Sequence, residues 1–464
     1  MSLIATPRLL IAGAAPGVGK SFFTLGLAIA LARKKLSVNV CMHTIRFPQA
    51  VLYRRQTRRN TRILDADLLN PGQMLEGLRQ ACFGSDIVLI DGHHGLYDGR
   101  GPGTWVGSDA WFAELFAAPV VLVTDGAMFG ASLGALVRGF ADAAGQRIFV
   151  DGVVVNWTEP NTIDGKDRLF FDAALSSFQC PPLVGAMHSI GDGEQLPVHG
   201  IAQDLNRTLM SRQFQVALGD LVSQTVDLDL IVEIANRAPV LKVDEGVDPS
   251  GFRCKIAVSD DPCFNLCFPD NIDLLKCNGA EIVPFSPLAD DRLPRRVGAV
   301  YLTGAYLNEY GVELASNLSM REALREFVAR GGVVYAEGGG AAFLFDQYVT
   351  NLNTAPLPGV GIIPGIAIAA PRSPDFVYLQ SVESSILGGG HESVRGVDSF
   401  EWEVGMSPGV LTVLEFSDPP NRRPGEGFSP YANVLASFSF LHWGSNPDIA
   451  RRIVEAAEVA ARNL

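Results

Sequence analysis

Residues 13–21 read GAAPGVGKS, placed after a short apolar run and before a stretch of helical periodicity. A glycine-rich turn lets backbone N–H groups approach phosphate oxygens, and the helix that follows points its positive dipole end at them. At this spacing Lys20 reaches the β- and γ-phosphates of a nucleoside triphosphate and the Ser21 hydroxyl binds Mg²⁺, while Gly17 and Gly19 leave the backbone room. The strict spacing asks for glycine at position 14, where this chain has Ala14; the spacing one residue longer, counted from Gly13, is a known variant. An ordinary glycine turn is the competing reading, and the complete GVGKS in its strand–turn–helix context favours the nucleotide site.

A second stretch, DIVLIDGHHGLYDG at 86–99, is an apolar strand ending in Asp91, with Asp98 following a glycine turn. Two carboxylates brought together at a strand end need a cation, so both are candidate Mg²⁺ holders, Asp91 through a water. Turn formation and helix capping are the plainer roles for an aspartate, more so for Asp98. His93 and His94 are adjacent on what reads as a loop, where their side chains would point apart and not share a metal. Asn156 closes the run GVVVN; its amide could bond an adenine edge or simply shape a turn. Arg54, Arg55, Arg58, Arg59 and Arg62 would share one face if 51–62 were helical. Such a face suits an anionic small molecule or an acidic protein partner; a solvated charged surface is the alternative.

These groups need a scaffold at strand ends, and the pattern supplies one. Apolar runs at 9–12, 38–42, 87–90, 120–124 and 152–156 alternate with helical stretches such as 21–33, which predicts a parallel sheet covered by helices. Residues 236–250 turn acidic with Pro and Gly and read as a linker. A second series follows, with strands expected at 255–258, 281–285, 299–302 and 333–336 and helices at 271–278 and 320–329. The expectation is therefore α/β throughout: a phosphate-loop domain at 1–235 and a second α/β domain at 251–464.

Composition narrows the function classes. The 464 residues are 47% apolar and carry a formal charge of −13. That excludes a general nucleic-acid or anionic-membrane binder. The apolar stretch 118–137 is broken by Asp125 and glycines and reads as buried strand, loop and helix. Seven cysteines without a C-x-x-C pair read as buried thiols in a reducing cytoplasm.

The order of motifs resembles the cobyrinic acid a,c-diamide synthase family. The residues that carry the likeness are GVGKS (17–21), IDGHHGLYDG (90–99), GSDA (107–110), PVVLVTD (119–125), GVVVN (152–156) and LVGAM (183–187). They continue through 255–294, SNLSMREALREF (316–327), YAEGGG (335–340) and NVLASFSFLHWGSNP (433–447). The resemblance implies a dethiobiotin-synthetase-like ATPase domain followed by a flavodoxin-like, class I glutamine amidotransferase-like domain. It implies ATP and Mg²⁺ as cofactors, activation of a tetrapyrrole carboxylate, amidation by ammonia from glutamine, and a homodimer. Gly17, Gly19, Lys20, Ser21, Asp91 and Asp98 fall on matching positions, with Asp at 91 where the family usually has Glu.

The likeness breaks where nitrogen would be supplied. The family's nucleophilic cysteine falls on Gly338 and its histidine on Phe440. RGVDSFEWE (395–403) lacks the histidines of the family's RGHEFHYS. Without thiolate and base no glutaminase activity is expected, and Cys263 and Cys267 read as packing residues. The family's K-x-G-P-D-Y-I-D-P run is CMHTIRFPQ (41–49) here, although Asp65 remains. Two functions fit: an amide ligase acting on an anionic, tetrapyrrole-like molecule without its own glutaminase, or a nucleotide-dependent scaffold, switch or chaperone with an inert docking domain.

Overall fold

The computed structural model describes residues 2–145, 147–158, 167–188, 211–244, 250–351, 354–370, 375–398, 402–405, 410–417 and 425–464. The chain divides into two compact units, Met1–Glu245 and Gly246–Leu464. No helix among the described residues is long and apolar enough to cross a membrane.

The first unit is built on a seven-stranded sheet with the spatial order Arg62–Ile63, Val38–Met42, Ile87–Gly95, Arg8–Gly13, Val120–Asp125, Val150–Thr158 and Leu183–His188. Every neighbouring pair is parallel. Its central strands are apolar on both faces because helices cover both, the arrangement in which parallel sheets occur. Helix Lys20–Arg33 buries eleven of its residues beneath this sheet and against helix Arg212–Thr225. Gly26 permits the close approach: a β-carbon there would lie 2.5 Å from Val222 Cγ2.

Two boundaries differ from expectation. The strand expected at 87–90 runs on to Gly95, so both histidines sit on its extension and not on a loop. The stretch read as a linker contains strand Leu241–Val243, which pairs antiparallel with Ser2–Ile4. Residues 245–249 of that stretch lie outside the described residues.

The second unit carries a ten-stranded sheet. Five strands are parallel, in the order Ala280–Phe285, Cys254–Ser259, Ala299–Leu302, Val333–Glu337 and Val434–Ser437. Five more continue it antiparallel: Glu426–Phe428, Thr412–Phe416, Asp375–Ser381, Ser393–Asp398 and Phe440–His442. Alternate residues of one strand enter opposite cores: Val334 and Ala336 pack in one, Val333 and Tyr335 in the other, as the two-residue period of a strand requires. The parallel half follows the apolar runs read in the sequence. The antiparallel half was not anticipated.

Candidate functional site

Parallel sheets place their functional groups beyond the carboxyl ends of the strands, and this one does so around Gly13–Lys20. Gly17 and Gly19 have φ of 81° and 87°, left-handed values that favour glycine and that turn the backbone into the helix. Lys20 is 5% exposed and folds back over the loop, its Nζ donating to the carbonyls of His94 (2.7 Å) and Ala15 (3.3 Å). Burial lowers its pKa, opposed by the charges of Asp109, Asp91 and Asp98.

Asp91 stands at the end of the neighbouring strand, 2% exposed. Its Oδ2 accepts from Ser21 Oγ (2.9 Å), Tyr53 OH (2.8 Å) and Gln49 Nε2 (3.3 Å), and its Oδ1 from Thr24 Oγ1 (2.9 Å). Desolvation raises its pKa, while the hydroxyls of Tyr53, Thr24 and Ser21 hold it down. Ser21 and Asp91 thus meet, and their donor set of hydroxyl and carboxylate oxygens is one a hard cation accepts. Asp98 is exposed and sits on its own turn, its Oδ2 accepting from the Gly95 amide at 2.9 Å. It lines an open pocket of about 460 Å³ with Tyr97, Thr104 and Trp105.

Asn156 is fully buried and braces the loop. Its Nδ2 donates to Val18 O at 2.8 Å, and its Oδ1 is left without a hydrogen-bond partner. The amide nitrogen is therefore committed to the protein, and the oxygen is buried beside the loop. Asp65 is also buried. Its Oδ1 accepts from the Asp67 amide at 2.8 Å, and burial raises its pKa to about 6.

The arginine stripe is not built as expected. The helix runs Phe47–Thr57 and ends on Arg58, whose φ of 57° is left-handed. Arg54 and Arg55 lie in its last turn, but Arg59 turns away, its guanidinium donating to Ser37 Oγ (2.9 Å), Phe83 O (3.0 Å) and Gly84 O. Arg62 is buried in the Arg62–Ile63 strand. The i, i+1, i+4, i+5, i+8 spacing of the five arginines could not register the helix stop, which comes before a strand that pairs with Val38–Met42. A second correction concerns His93 and His94: their rings do not point apart but lie 3.9 Å between centroids. Desolvation and the nearby Arg46 charge lower the His93 pKa to about 2, and no group of three or more His, Cys, Asp or Glu side chains among the described residues is placed to hold a metal.

One constellation was missed from the sequence. His43, just past the Val38–Met42 strand, bonds through Nε2 to Asp109 Oδ1 at 2.7 Å, and the same oxygen accepts from the His93 amide at 3.0 Å. The two partners are 66 residues apart, and only the strand order brings them together.

In the second unit the position of the family's nucleophile lies on a strand–turn–helix elbow, which is present and packed. Strand Val333–Glu337 runs into helix Gly338–Phe343 through Gly338, at φ 53°. A β-carbon on Gly338 would lie 2.6 Å from Phe440 Cζ, and one on Gly304 would lie 2.3 Å from the same atom. Phe440 is fully buried. Its ring occupies the room a side chain at 338 would need. The two positions singled out as lost functional groups therefore touch each other. Cys263 is buried, with a thiol pKa raised by desolvation, which makes it an inert packing residue.

The chain thus joins two α/β units, each with a glycine turn from a central parallel strand into a helix. Residues 255–443 match the CobB/CobQ-like glutamine amidotransferase domain, and over nearly its whole length the chain is a homologue of cobyrinate a,c-diamide synthases. It is 28% identical over 469 residues to that of Dehalococcoides mccartyi strain CBDB1, covering 97% of this chain and 98% of the relative. The Priestia megaterium protein of the same name is 28% identical over 461 residues, with 98% of each chain covered. That of Syntrophotalea carbinolica is 28% identical over 463 residues, covering 97% and 99%.

Proposed function

We propose that the protein is an ATP- and Mg²⁺-dependent amide ligase that activates a carboxylate of a cobyrinate-like molecule and has no glutaminase of its own. Full-length homology to cobyrinate a,c-diamide synthases supports the amide-ligase role, in cobalamin biosynthesis. The observation that carries the ATP reading is the contact of Ser21 with Asp91 beside a loop whose left-handed glycines and folded-back Lys20 form a phosphate cradle. Bound ATP would supply the phosphoryl group that makes a carboxylate reactive towards nitrogen.

In this reading Gly17, Gly19 and Lys20 bind the phosphates, with Lys20 exchanging its two carbonyl partners for phosphate oxygens. Ser21 and Asp91 would hold Mg²⁺, which is ordinarily kept by one or two carboxylates and substrate phosphates. Asp98, on the rim of the same strand, adds negative potential towards the cation. Asn156 fixes the loop. Asp65 and the arginines that remain accessible contribute to the anionic substrate's surroundings.

The filled elbow supports a second reading, a nucleotide-dependent scaffold or switch whose second unit is a docking domain. Incubating purified protein with cobyrinate, ATP and Mg²⁺ separates the two. Ammonium-dependent amide, with no glutamate released from glutamine, is the outcome expected of the ligase. Nucleotide binding with neither amide nor cobyrinate-stimulated ATP turnover would leave the scaffold reading and remove the first.

A further inference from the structure

An enzyme that makes amides without a glutaminase takes its nitrogen from solution, where at neutral pH it is almost all ammonium. Ammonium has no lone pair, so a base must remove a proton before it can attack. The first unit holds a buried histidine paired with a carboxylate. His43 is 5% and Asp109 is 1% exposed. The ring is clamped on two sides, by the 2.7 Å bond from Nε2 to Asp109 and by stacking on Phe112 with centroids 4.1 Å apart. Asp109 is fixed in turn by the His93 amide, and its Oδ2 is buried without a hydrogen-bond partner.

An Nε2–H bonded to a carboxylate leaves Nδ1 as the basic nitrogen, and Nδ1 makes no hydrogen bond among the described residues. Met42, the residue before His43, is level with Asp91 in the parallel register, so the ring stands at the same sheet edge as the phosphate loop. Lys20, Asp65, His93 and His94 are the charged and titratable groups that act on the pair, with Arg46 beside the two histidines and Lys20.

We propose that His43, oriented by Asp109, is the proton acceptor for an ammonium nitrogen donor, an inference that rests on the amide-ligase reading. Ammonium gives one proton to His43 Nδ1. The freed ammonia attacks the activated carbonyl carbon, forming the C–N bond. The C–O bond to phosphate breaks with its electron pair going to the phosphate, which carries off a second proton from nitrogen. Amide, inorganic phosphate and protonated His43 result, and the imidazole returns its proton to solvent.

Hydroxylamine provides the test, since it is largely unprotonated at neutral pH and needs no such base. Wild type, His43→Gln and Asp109→Asn are incubated with cobyrinate, ATP and Mg²⁺ and either ammonium chloride or hydroxylamine, and amide and hydroxamate are measured by mass spectrometry. The expected result is an amide rate reduced about 100-fold or more in both variants, the lower range of general-base catalysis, with hydroxamate within about threefold of wild type. Mg–ATP affinity should be unchanged. Equal loss of both products, no loss of either, or weakened nucleotide binding overturns the assignment of His43. Wild type that forms neither product removes the amide-ligase reading and this inference with it. Ring ¹⁵N shifts of the free wild-type protein give an independent readout: His43 is expected as the Nε2–H tautomer, and an Nδ1–H tautomer overturns the proposal even if both variants fail to fold.

Discussion

Both units end a central parallel strand in a glycine turn and start a helix there, and the two turns differ in what lies above them. In the first unit the Lys20 amine bonds the His94 carbonyl and the Ser21 and Thr24 hydroxyls bond Asp91, polar contacts beside the turn that a ligand's could replace. In the second unit the space above Gly338 is occupied by the Phe440 ring. A site that keeps buried polar groups bears a desolvation penalty that binding can relieve, whereas one filled by an aromatic ring has been converted into core. The same backbone device serves chemistry in one case and packing in the other, and side chains decide which.

If Phe440 is core, its removal should cost more than any other change considered. Phe440→Ala is expected to lower the unfolding free energy by about 3–5 kcal/mol, the usual range for a buried Phe→Ala substitution, read by denaturant titration, with Mg–ATP affinity unchanged. A loss below about 1 kcal/mol would mean that the ring does not fill the elbow.

Lys20→Ala breaks the other side of the comparison. Two charge-assisted contacts at about 1.5 kcal/mol each imply roughly a 100-fold rise in the ATP dissociation constant, measured by calorimetry. Unchanged binding would mean that the first turn, too, is only structural.

Gly338→Cys sharpens the contrast. It adds a β-carbon against Phe440 at a left-handed φ, so a destabilisation of about 1–3 kcal/mol is expected, with no glutamate released from glutamine. Adding Phe440→His in the same chain removes ring volume from the clash. A favourable coupling of about 0.5–3 kcal/mol between the two positions is expected from a double-mutant cycle. Additive effects would show that the two residues do not compete for one space.

How much of this was readable from the sequence follows the range of the interactions. The phosphate loop was legible because its chemistry is local: GVGKS fixes turn, lysine and hydroxyl within a few residues. Asp91 was legible as an acid at a strand end. The elbow's loss was legible at Gly338 and Phe440 singly, through family resemblance, but their contact joins residues about a hundred positions apart and needed the fold. His43–Asp109 left no signal for the same reason. The arginine stripe misled because helical spacing was extended past Thr57, where Arg58 adopts a left-handed φ and the chain turns towards a strand. The antiparallel strands after residue 370 went unread although Asp375–Ser381, at seven residues, is longer than any strand of the parallel half.

The smallest effect concerns Glu337, the residue before the elbow glycine. It is fully buried, and its carboxyl accepts from Tyr301 OH and Tyr335 OH, each at 2.6 Å, and from the Leu441 amide at 3.0 Å. Desolvation outweighs these donors and raises its pKa from 4.5 to about 7. In the unfolded chain the group ionises near the lower value, so between the two pKa values the folded state binds more protons than the unfolded one. Stability from this residue is therefore greatest below pH 4.5 and declines as pH rises towards about 7, where the buried carboxyl must ionise. Glu337→Gln mimics the neutral acid and keeps an acceptor for Tyr335 and Leu441. It should leave stability near wild type at pH 5 and raise it modestly at pH 8, flattening the fall between them in melting-temperature measurements. A wild-type curve with no fall in that window, or a variant that loses stability at pH 8, would show that the carboxylate beside the elbow is kept ionised by its donors. The second turn would then retain a buried charge of the kind that distinguishes the first.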